Sequence, residues 1–268
     1  MSDLTRELTV VIPALNEEEN IEAAVRHIAQ ALKDFHIDAE IVLVNDGSTD
    51  QTGVCMGRAV AAHADIVFQV ITHAQPRGIG AAFWEGLALA RGRALILLPG
   101  DDENDPWEIF RYAKLLEHVD IVIPYIFNRE ARPMWRNALS FLYRFIINST
   151  FAVNFNYTNG TVLYRKSILS ELDYKSAGFF FQTDVLVRLV KKGYLFAEVP
   201  YRLGQRRTGR SKAVTFPSFF RVVKGYLRLV RDFYFLKSDQ MHTHSYASDS
   251  ATARRRNGIE THPSEGDR

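Results

Sequence analysis

Asp101, Asp102 and Glu103 follow one another just beyond a short apolar run, Ala94 to Leu98, with only Pro99 and Gly100 between. Adjacent carboxylates repel one another unless a cation or solvent intervenes, and hard oxygen donors suit Mg²⁺ or Mn²⁺. A solvated acidic turn is the plainer reading of the same residues. Asp105 has another duty: Asp105-Pro106-Trp107-Glu108 has the form of a helix start, with an N-cap acid, Pro at the first helical position and Glu at the third. That leaves Asp101, Asp102 and Asn104 for chemistry.

The run that delivers these residues is continuously apolar, as expected of a central strand covered on both faces. Open α/β sheets bind their ligands at the carboxyl ends of the strands, so the other strand ends come next. Leu8 to Leu15 reads as a buried strand ending at Asn16 and Glu17, and Glu40 to Val44 as a second ending in Asn45-Asp46-Gly47. Asn16, with Glu19 three residues on, has the form of a helix cap, and Ser48-Thr49-Asp50-Gln51 has capping-box spacing for the next helix. Asn16 and Glu17 are therefore either cap residues or ligand contacts. Asp46 is placed to hold the base or ribose of a nucleotide, or, as a turn Asp, to bond local backbone amides. Polar residues at three strand ends favour a shared cleft.

Ile66 to Ile71 makes a third strand, and Arg77-Gly78-Ile79-Gly80 follows it. A cation beside small residues and backbone amides can approach a diphosphate, while close helix packing is the alternative use of these glycines. NAD binding is discounted: Phe83 stands where the GxGxxG fingerprint demands Gly, and the segment does not follow the first strand. With a fifth strand over Asp120 to Ile126, the alternating βα units predict an α/β fold, a mostly parallel sheet with helices on both faces.

Beyond Tyr125 the pattern changes. Arg129, Arg132 and Arg136 precede an apolar helical stretch, Trp135 to Phe151, and strands are predicted over Thr161 to Arg165 and Leu195 to Tyr201. Asp184 lies in the first turn of a helix within Phe179 to Lys192, where an acid also favours the helix dipole. Arg206, Arg207, Arg210 and Lys212 crowd into RRTGRSK, dense enough in cations to clamp phosphates, unless the run is merely solvated. Phe216 to Leu236 places Arg221, Lys224, Arg228 and Arg231 on one helical face among aromatic residues, which fits a helix lying in a headgroup plane, a core helix or a dimer seam. From Ser238 the chain is polar and patternless and is read as a disordered tail.

Bulk composition narrows the classes. The 268 residues are 47% hydrophobic and 24% charged, with a formal charge of +2, too small to argue for a nucleic-acid partner. A single cysteine, Cys55, excludes an internal disulfide and a thiolate zinc site made by this chain alone, consistent with a reducing cytoplasm. No signal peptide is evident, and no apolar run reaches the roughly 18 uncharged residues needed to span a bilayer. The expected location is cytoplasmic, peripheral at the inner face of the membrane.

In order along residues 8 to 212, the segments VVIPALNEEENI, VNDGSTDQT, RGIGAAFWEGLALARG, LLPGDDENDP, TNGTVLYRK, FFFQTDVLVRLVKKG, EVPY and RTGRSK together resemble the GT-A fold, family 2 glycosyltransferases. Within that group they are most similar to the polyprenyl-phosphate (dolichyl-phosphate) mannosyl and glucosyl transferases. The resemblance implies a GT-A domain over 1–212, while charge patterning gives an amphipathic interfacial helical segment over 213–237 and composition a disordered polar tail over 238–268. It implies hexose transfer, with inversion, from a nucleotide-diphosphate sugar of the GDP-mannose or UDP-glucose type to a lipid phosphate, assisted by Mg²⁺ or Mn²⁺. Pro13, Asn16, Glu17 and Asp46 match nucleotide-binding positions of the family, and Arg77, Gly78 and Asp101 are counted with them. Asp102 matches the last acid of the metal-binding DxD, and Asn104 a Gln that also reaches the metal.

Asp184 matches the acid of the FQxE segment. Arg206, or Arg207 with a shift of one, matches the RxxGxSK loop together with Ser211 and Lys212. Gly100 stands where the first acid of the DxD is expected, and Asn45 where the first acid of DDG is usual. A phosphate acceptor is already ionised near neutral pH and needs no strong base, which makes the basic loop and Arg129 and Arg132 natural acceptor clamps. A sugar-hydroxyl acceptor would instead require a carboxylate base, with Asp184 as candidate. A noncatalytic nucleotide-sugar-binding scaffold is the reading from another class.

Overall fold

The structure is a computed structural model that describes residues 6–128, 134–172, 176–202, 216–236 and 245–261. Its centre is a seven-stranded sheet made of β1 (Arg6–Ala14), β2 (Ala39–Asn45), β3 (Val67–Thr72), β4 (Gly92–Leu97), β5 (Ile121–Ile126), β6 (Leu163–Arg165) and β7 (Phe196–Tyr201). The spatial order is β3-β2-β1-β4-β6-β5-β7. All neighbours are parallel except β6, which runs antiparallel to both β4 and β5. The sheet is thus the mostly parallel one expected, with β4 in its middle.

Apolar side chains on both faces of the strands explain why the runs are continuous rather than alternating. On one face Val11, Val42 and Leu95 pack with Phe83, Trp84 and Leu87 of α3 (Ile79–Leu89), with Val185 and Leu186 of α7 (Phe181–Lys192), and with Ile147 and Phe151 of α5 (Met134–Phe151). On the other, Val10, Ile12, Ile41 and Ile96 meet Ile21, Val25 and Ile28 of α1 (Ile21–Asp34), Met56 of α2 (Thr52–Ala62) and Phe110 of α4 (Pro106–Phe110). A short helix, α6 (Lys166–Leu169), follows β6. The chain winds from β1 to β2 and β3 on one side, then crosses to place β4 on β1's other flank. That reversal makes a switch point, with a crevice at the carboxyl ends of β1 and β4.

The helix starts divide between expectation and correction. Asp105 caps α4, its carboxylate accepting the N–H groups of Trp107 and Glu108, with Pro106 at the first helical position. Asn16 does not cap α1: Asn20 occupies that position without a side-chain cap bond. Nor does the 48–51 segment form a capping box, since Gln51 stands at the N-cap of α2, again without one.

The polar tail also needs correcting. Residues 245–261 include α9 (Ala251–Thr261), docked at the amino end of β5. There Asp120, fully buried, accepts the N–H of Ala251 at 2.6 Å and of Thr252 at 3.1 Å, an N-terminal cap supplied from across the fold. Finally, α8 (Phe216–Tyr234) lays Val222, Tyr226, Leu229 and Phe233 against the core and exposes Arg221, Lys224, Arg228 and Arg231.

Candidate active site

The loops after β1 and β2 are neighbours because those strands pair in register through Ala14 and Asn45. Asn16, in the left-handed region at φ 55°, is exposed. Its side-chain oxygen accepts the N–H of Thr49 at 2.8 Å, and its own N–H donates to Ser48 Oγ at 3.0 Å. The N–H of Glu17 donates to Thr52 Oγ1 at 2.8 Å, and Glu18 accepts the N–H of Gln51 at 2.8 Å. Two strand-end loops are thereby stitched into one wall. Pro13, buried within β1, accepts the N–H of Gly100 at 3.0 Å and so ties the acidic loop to the same wall.

Asp46, 5% exposed, bonds backbone amides, though not local ones. Its carboxylate accepts the N–H groups of Arg77 at 2.7 Å and Gly78 at 2.9 Å, and meets His73 Nδ1 at 2.7 Å. The other ring nitrogen of His73 meets Glu85 at 2.6 Å, and Glu85 also pairs with Arg77. Gly78 has φ 95°, and a Cβ on Gly80 would sit 2.4 Å from the carbonyl oxygen of Ser176, so the RGIG turn lies directly on the 176–177 backbone. Close packing therefore accounts for these glycines, and Asp46 organises the turn.

Burial disfavours a charged His73, but bonds from Asp46 and Glu85 outweigh it and hold the imidazole's pKa above the ordinary value. Only the protonated ring can donate to both carboxylates. A folded pKa raised above 6.5 stabilises the fold fully below that value, and the contribution is lost as pH rises through the folded pKa. Thermal unfolding of His73→Ala against the parent should therefore show a stability gap that is widest below pH 6.5 and narrows in alkali. A gap independent of pH would contradict the charged bridge.

Asp102 stands at φ 56°, half-buried, with its carboxylate 2.8 Å from Nδ1 of His27 on α1. Asp101 accepts the N–H of Glu103 at 3.2 Å, and Asn104 accepts the hydroxyl of Tyr201 at 3.4 Å. Tyr201 is pushed above the ordinary phenol range, first by burial, and so stays a protonated donor. A Cβ on Gly100 would lie 2.6 Å from Ile21 Cδ1 and 3.2 Å from Ala14 Cβ. Apolar groups occupy the space that a side chain at position 100 would need.

Among the described residues no three His, Cys, Asp or Glu side chains gather into a metal cage. Mg²⁺ rarely uses one: it keeps waters and binds one or two carboxylates together with substrate phosphates. Asp101, Asp102 and Asn104 supply hard oxygen donors on one loop at the switch point, a set that fits this mode.

Asp184 is 1% exposed, and Arg188 donates to both its oxygens, at 3.2 and 3.1 Å. Arg188 also reaches Asp232 of α8 at 2.7 Å. Burial pushes the Asp184 carboxyl up, against the pull of Arg188. Its neighbours tie α7 to the 159–160 segment: Gln182 donates to the carbonyl of Gly160 at 2.9 Å, and Thr183 to Asn159 at 3.3 Å. Arg129, Arg132, Arg206, Arg207, Ser211 and Lys212 lie outside the described residues.

Three residues escaped the sequence reading. Arg188 was within reach, four residues from Asp184 on one helix face. His27 and His73 carried no local signal, because their partners Asp102 and Asp46 are 75 and 27 residues away.

A doubly wound sheet whose switch-point crevice is walled by amides, acids and a glycine turn defines an α/β enzyme of the nucleotide-binding class. The chain belongs to glycosyl transferase family 2, which it matches over residues 9–173. It is 30% identical over 223 residues to polyprenol monophosphomannose synthase of Mycolicibacterium smegmatis, covering 78% of this chain and 81% of that one. It is 29% identical over 169 residues to dodecaprenyl-phosphate galacturonate synthase of Rhizobium johnstonii, covering 62% of this chain and spanning half that protein's length. In fold it is similar to glucosyl-3-phosphoglycerate synthase of Mycobacterium tuberculosis, solved with Mn²⁺, UDP and phosphoglyceric acid. That match has a TM-score of 0.65 and 20% identity, over 84% of this chain and 79% of the other.

Proposed function

We propose that the chain transfers a hexose, with inversion, from a nucleotide-diphosphate sugar to the phosphate of a polyprenyl lipid at a membrane surface. The observation that carries this reading is the acidic loop, Asp101 to Asn104, set at the switch point beside the stitched β1 and β2 loops. Asp102, with Asn104 and Asp101, would hold Mg²⁺ or Mn²⁺, which supplies positive charge to the leaving diphosphate. Asn16 and Glu17 border the nucleotide's side of the cleft, Asp46 fixes the turn that carries Arg77, and the exposed Arg77 faces solvent beside it. Arg129, Arg132, Arg206, Arg207, Ser211 and Lys212 are the proposed clamp for the acceptor phosphate. Two of the relatives are named as synthases of a dodecaprenyl-phosphate galacturonate and a polyprenol monophosphomannose, and those names support a polyprenyl-phosphate acceptor here.

Two further observations favour a phosphate nucleophile on a lipid. Asp184 is sealed in its pair with Arg188, and an ionised phosphate needs no base. Among the described residues no helix is long and apolar enough to cross a membrane, but α5 exposes Trp135, Leu139, Phe141, Leu142 and Phe145, each by more than half. With the exposed cations of α8, these suit an interfacial contact.

A hydroxyl acceptor is the second reading, favoured by the fold likeness to the phosphoglycerate-glucosylating enzyme. It requires Asp184 to leave Arg188 and act as base. Full-length protein should be given radiolabelled GDP-mannose or UDP-glucose, Mn²⁺, and either polyprenyl phosphate in anionic vesicles or phosphoglycerate. Label in the extracted lipid, with the protein floating with the vesicles, is the expected result. Label only on phosphoglycerate would transfer support to the second reading, and donor binding without transfer to the scaffold.

A further inference from the structure

A cavity of about 590 Å³ opens at the amino end of the sheet, far along the strands from the acidic loop. Its floor is apolar and buried: Leu8 of β1, Ala94 of β4, Leu163 of β6 and Phe110 of α4. Its walls carry five basic side chains, Arg93, Arg111, Lys114, Arg165 and Arg254. Only two acids, Glu7 and Glu117, line it with them, and both are exposed.

The basic groups differ in their commitments. Arg165 is bound to Asp120 at 3.2 Å and to the carbonyl of Leu116. Arg254 joins the carbonyls of Glu117 and Asp249 at 2.9 and 2.7 Å, so this wall exists only with α9 docked. Arg111 pairs with Glu108 at 3.1 Å. Arg93 and Lys114 are exposed, and among the described residues neither forms an ion pair with an acid, although Glu7 and Glu117 share the lining. A volume of this size falls in the usual range for small-molecule sites, where an apolar body is buried and a few polar groups set specificity.

We infer that this cavity is a second ligand site, separate from the catalytic cleft, which takes a phosphate monoester carried on a compact apolar body. Arg93 and Lys114 bind the phosphate, and the Leu8, Phe110 and Leu163 floor takes the organic part. Arg and Lys together suit a phosphate, because the guanidinium bonds in bidentate fashion and the ammonium adds a point charge. The same chemistry is offered by a soluble phosphorylated metabolite and by a lipid headgroup. No lining residue comes from α5 or α8, and this favours the soluble source.

Phenyl phosphate is a suitable probe, titrated calorimetrically into full-length protein with EDTA present and compared with phenol and with inorganic phosphate. The expected result is saturable binding of phenyl phosphate, tighter than either fragment. Affinity should fall at least about tenfold in Arg93→Glu/Lys114→Glu, as expected for lost charge-assisted bonds. Asp102→Asn should leave it unchanged. Because charge reversal can disturb folding, Arg93→Gln/Lys114→Gln provides a milder pair whose unfolding temperature is measured first. Flotation with phosphatidic-acid vesicles separates the sources: phenyl phosphate binding without loss of flotation in the double variants supports the soluble one, and loss of both supports a headgroup in the same site. No saturable binding, equal binding in both double variants, or binding lost with Asp102→Asn would overturn the inference.

Discussion

Asp102→Asn is expected to lower sugar transfer by about 10²–10³-fold, the usual scale for removing one preorganised electrostatic contact to a developing charge. The substitution removes the carboxylate's charge while keeping its shape. Asn also tolerates the left-handed backbone that position 102 adopts at φ 56°, whereas Ala there would add strain of roughly 1–2 kcal/mol and blur the result. Because Asp102 is half-buried and its partner His27 remains partly exposed, the unfolding temperature should change by no more than a few degrees. Loss of activity with retained stability, checked by steady-state kinetics and thermal melts on one preparation, is the signature of a group that serves the reaction. Retained turnover would remove Asp102 from the proposed metal site.

The largest stability effect should come from Arg188→Met. Arg188 bridges Asp184 of α7 and Asp232 of α8, and all three side chains are mostly shielded from water. Removing the cation leaves Asp184 buried without its hydrogen-bonded counter-charge, with only the more distant Arg228 to offset it, a change that typically costs about 3–5 kcal/mol. At about 2–4 °C per kcal/mol for a chain of this size, melting should fall by roughly 6–20 °C. The deficit should depend on pH in a definite direction. Burial already raises the folded pKa of Asp184 above its ordinary value, and without Arg188 it rises further. A raised folded pKa means that the proton favours the fold, so the deficit is small in acid, where Asp184 is neutral, and grows as pH rises through that folded value. Asp184→Asn combined with Arg188→Met should recover part of the loss. An Arg188→Met protein as stable as the parent at neutral pH would show that the bridge contributes nothing.

The parts of the fold legible in the sequence are those decided by neighbours along the chain. Val10 to Ala14 and Ala94 to Leu97 announce themselves as strands because both faces are covered and every residue is apolar. Asp105 is readable as a cap because its bonds go two and three residues on. Asn16 misleads for the opposite reason: its partners Ser48 and Thr49 lie 32 and 33 residues away, and nothing local separates a capping Asn from one that joins two loops. The end of the chain fails in the same way. Polar composition reads as disorder, yet a carboxylate 131 residues earlier, Asp120, caps α9 and fixes it to the sheet.

The candidate site follows the same division. Strand-end position and the family resemblance together single out Asp46, Asp102 and Asp184, but each one's partner comes from the three-dimensional arrangement: His73 for Asp46, His27 for Asp102 and the Arg188–Asp232 bridge for Asp184. Gly100 is explained only by what surrounds it. Ile21 and Ala14 crowd the place of a side chain at position 100, so the loop's acids begin at Asp101, with Asp105 committed to capping α4.

The central claim is that the crevice at the ends of β1, β2 and β4 moves a sugar from a nucleotide-diphosphate donor. It is tested most directly by incubating full-length protein with radiolabelled donors, Mn²⁺ and polyprenyl phosphate in vesicles and counting the lipid extract. The account predicts lipid-linked label with at least one donor, absent in EDTA and reduced at least a hundredfold by Asp102→Asn, the low end of the range above. No label in lipid or water-soluble acceptor with any donor, from protein that is folded and binds the vesicles, would contradict it.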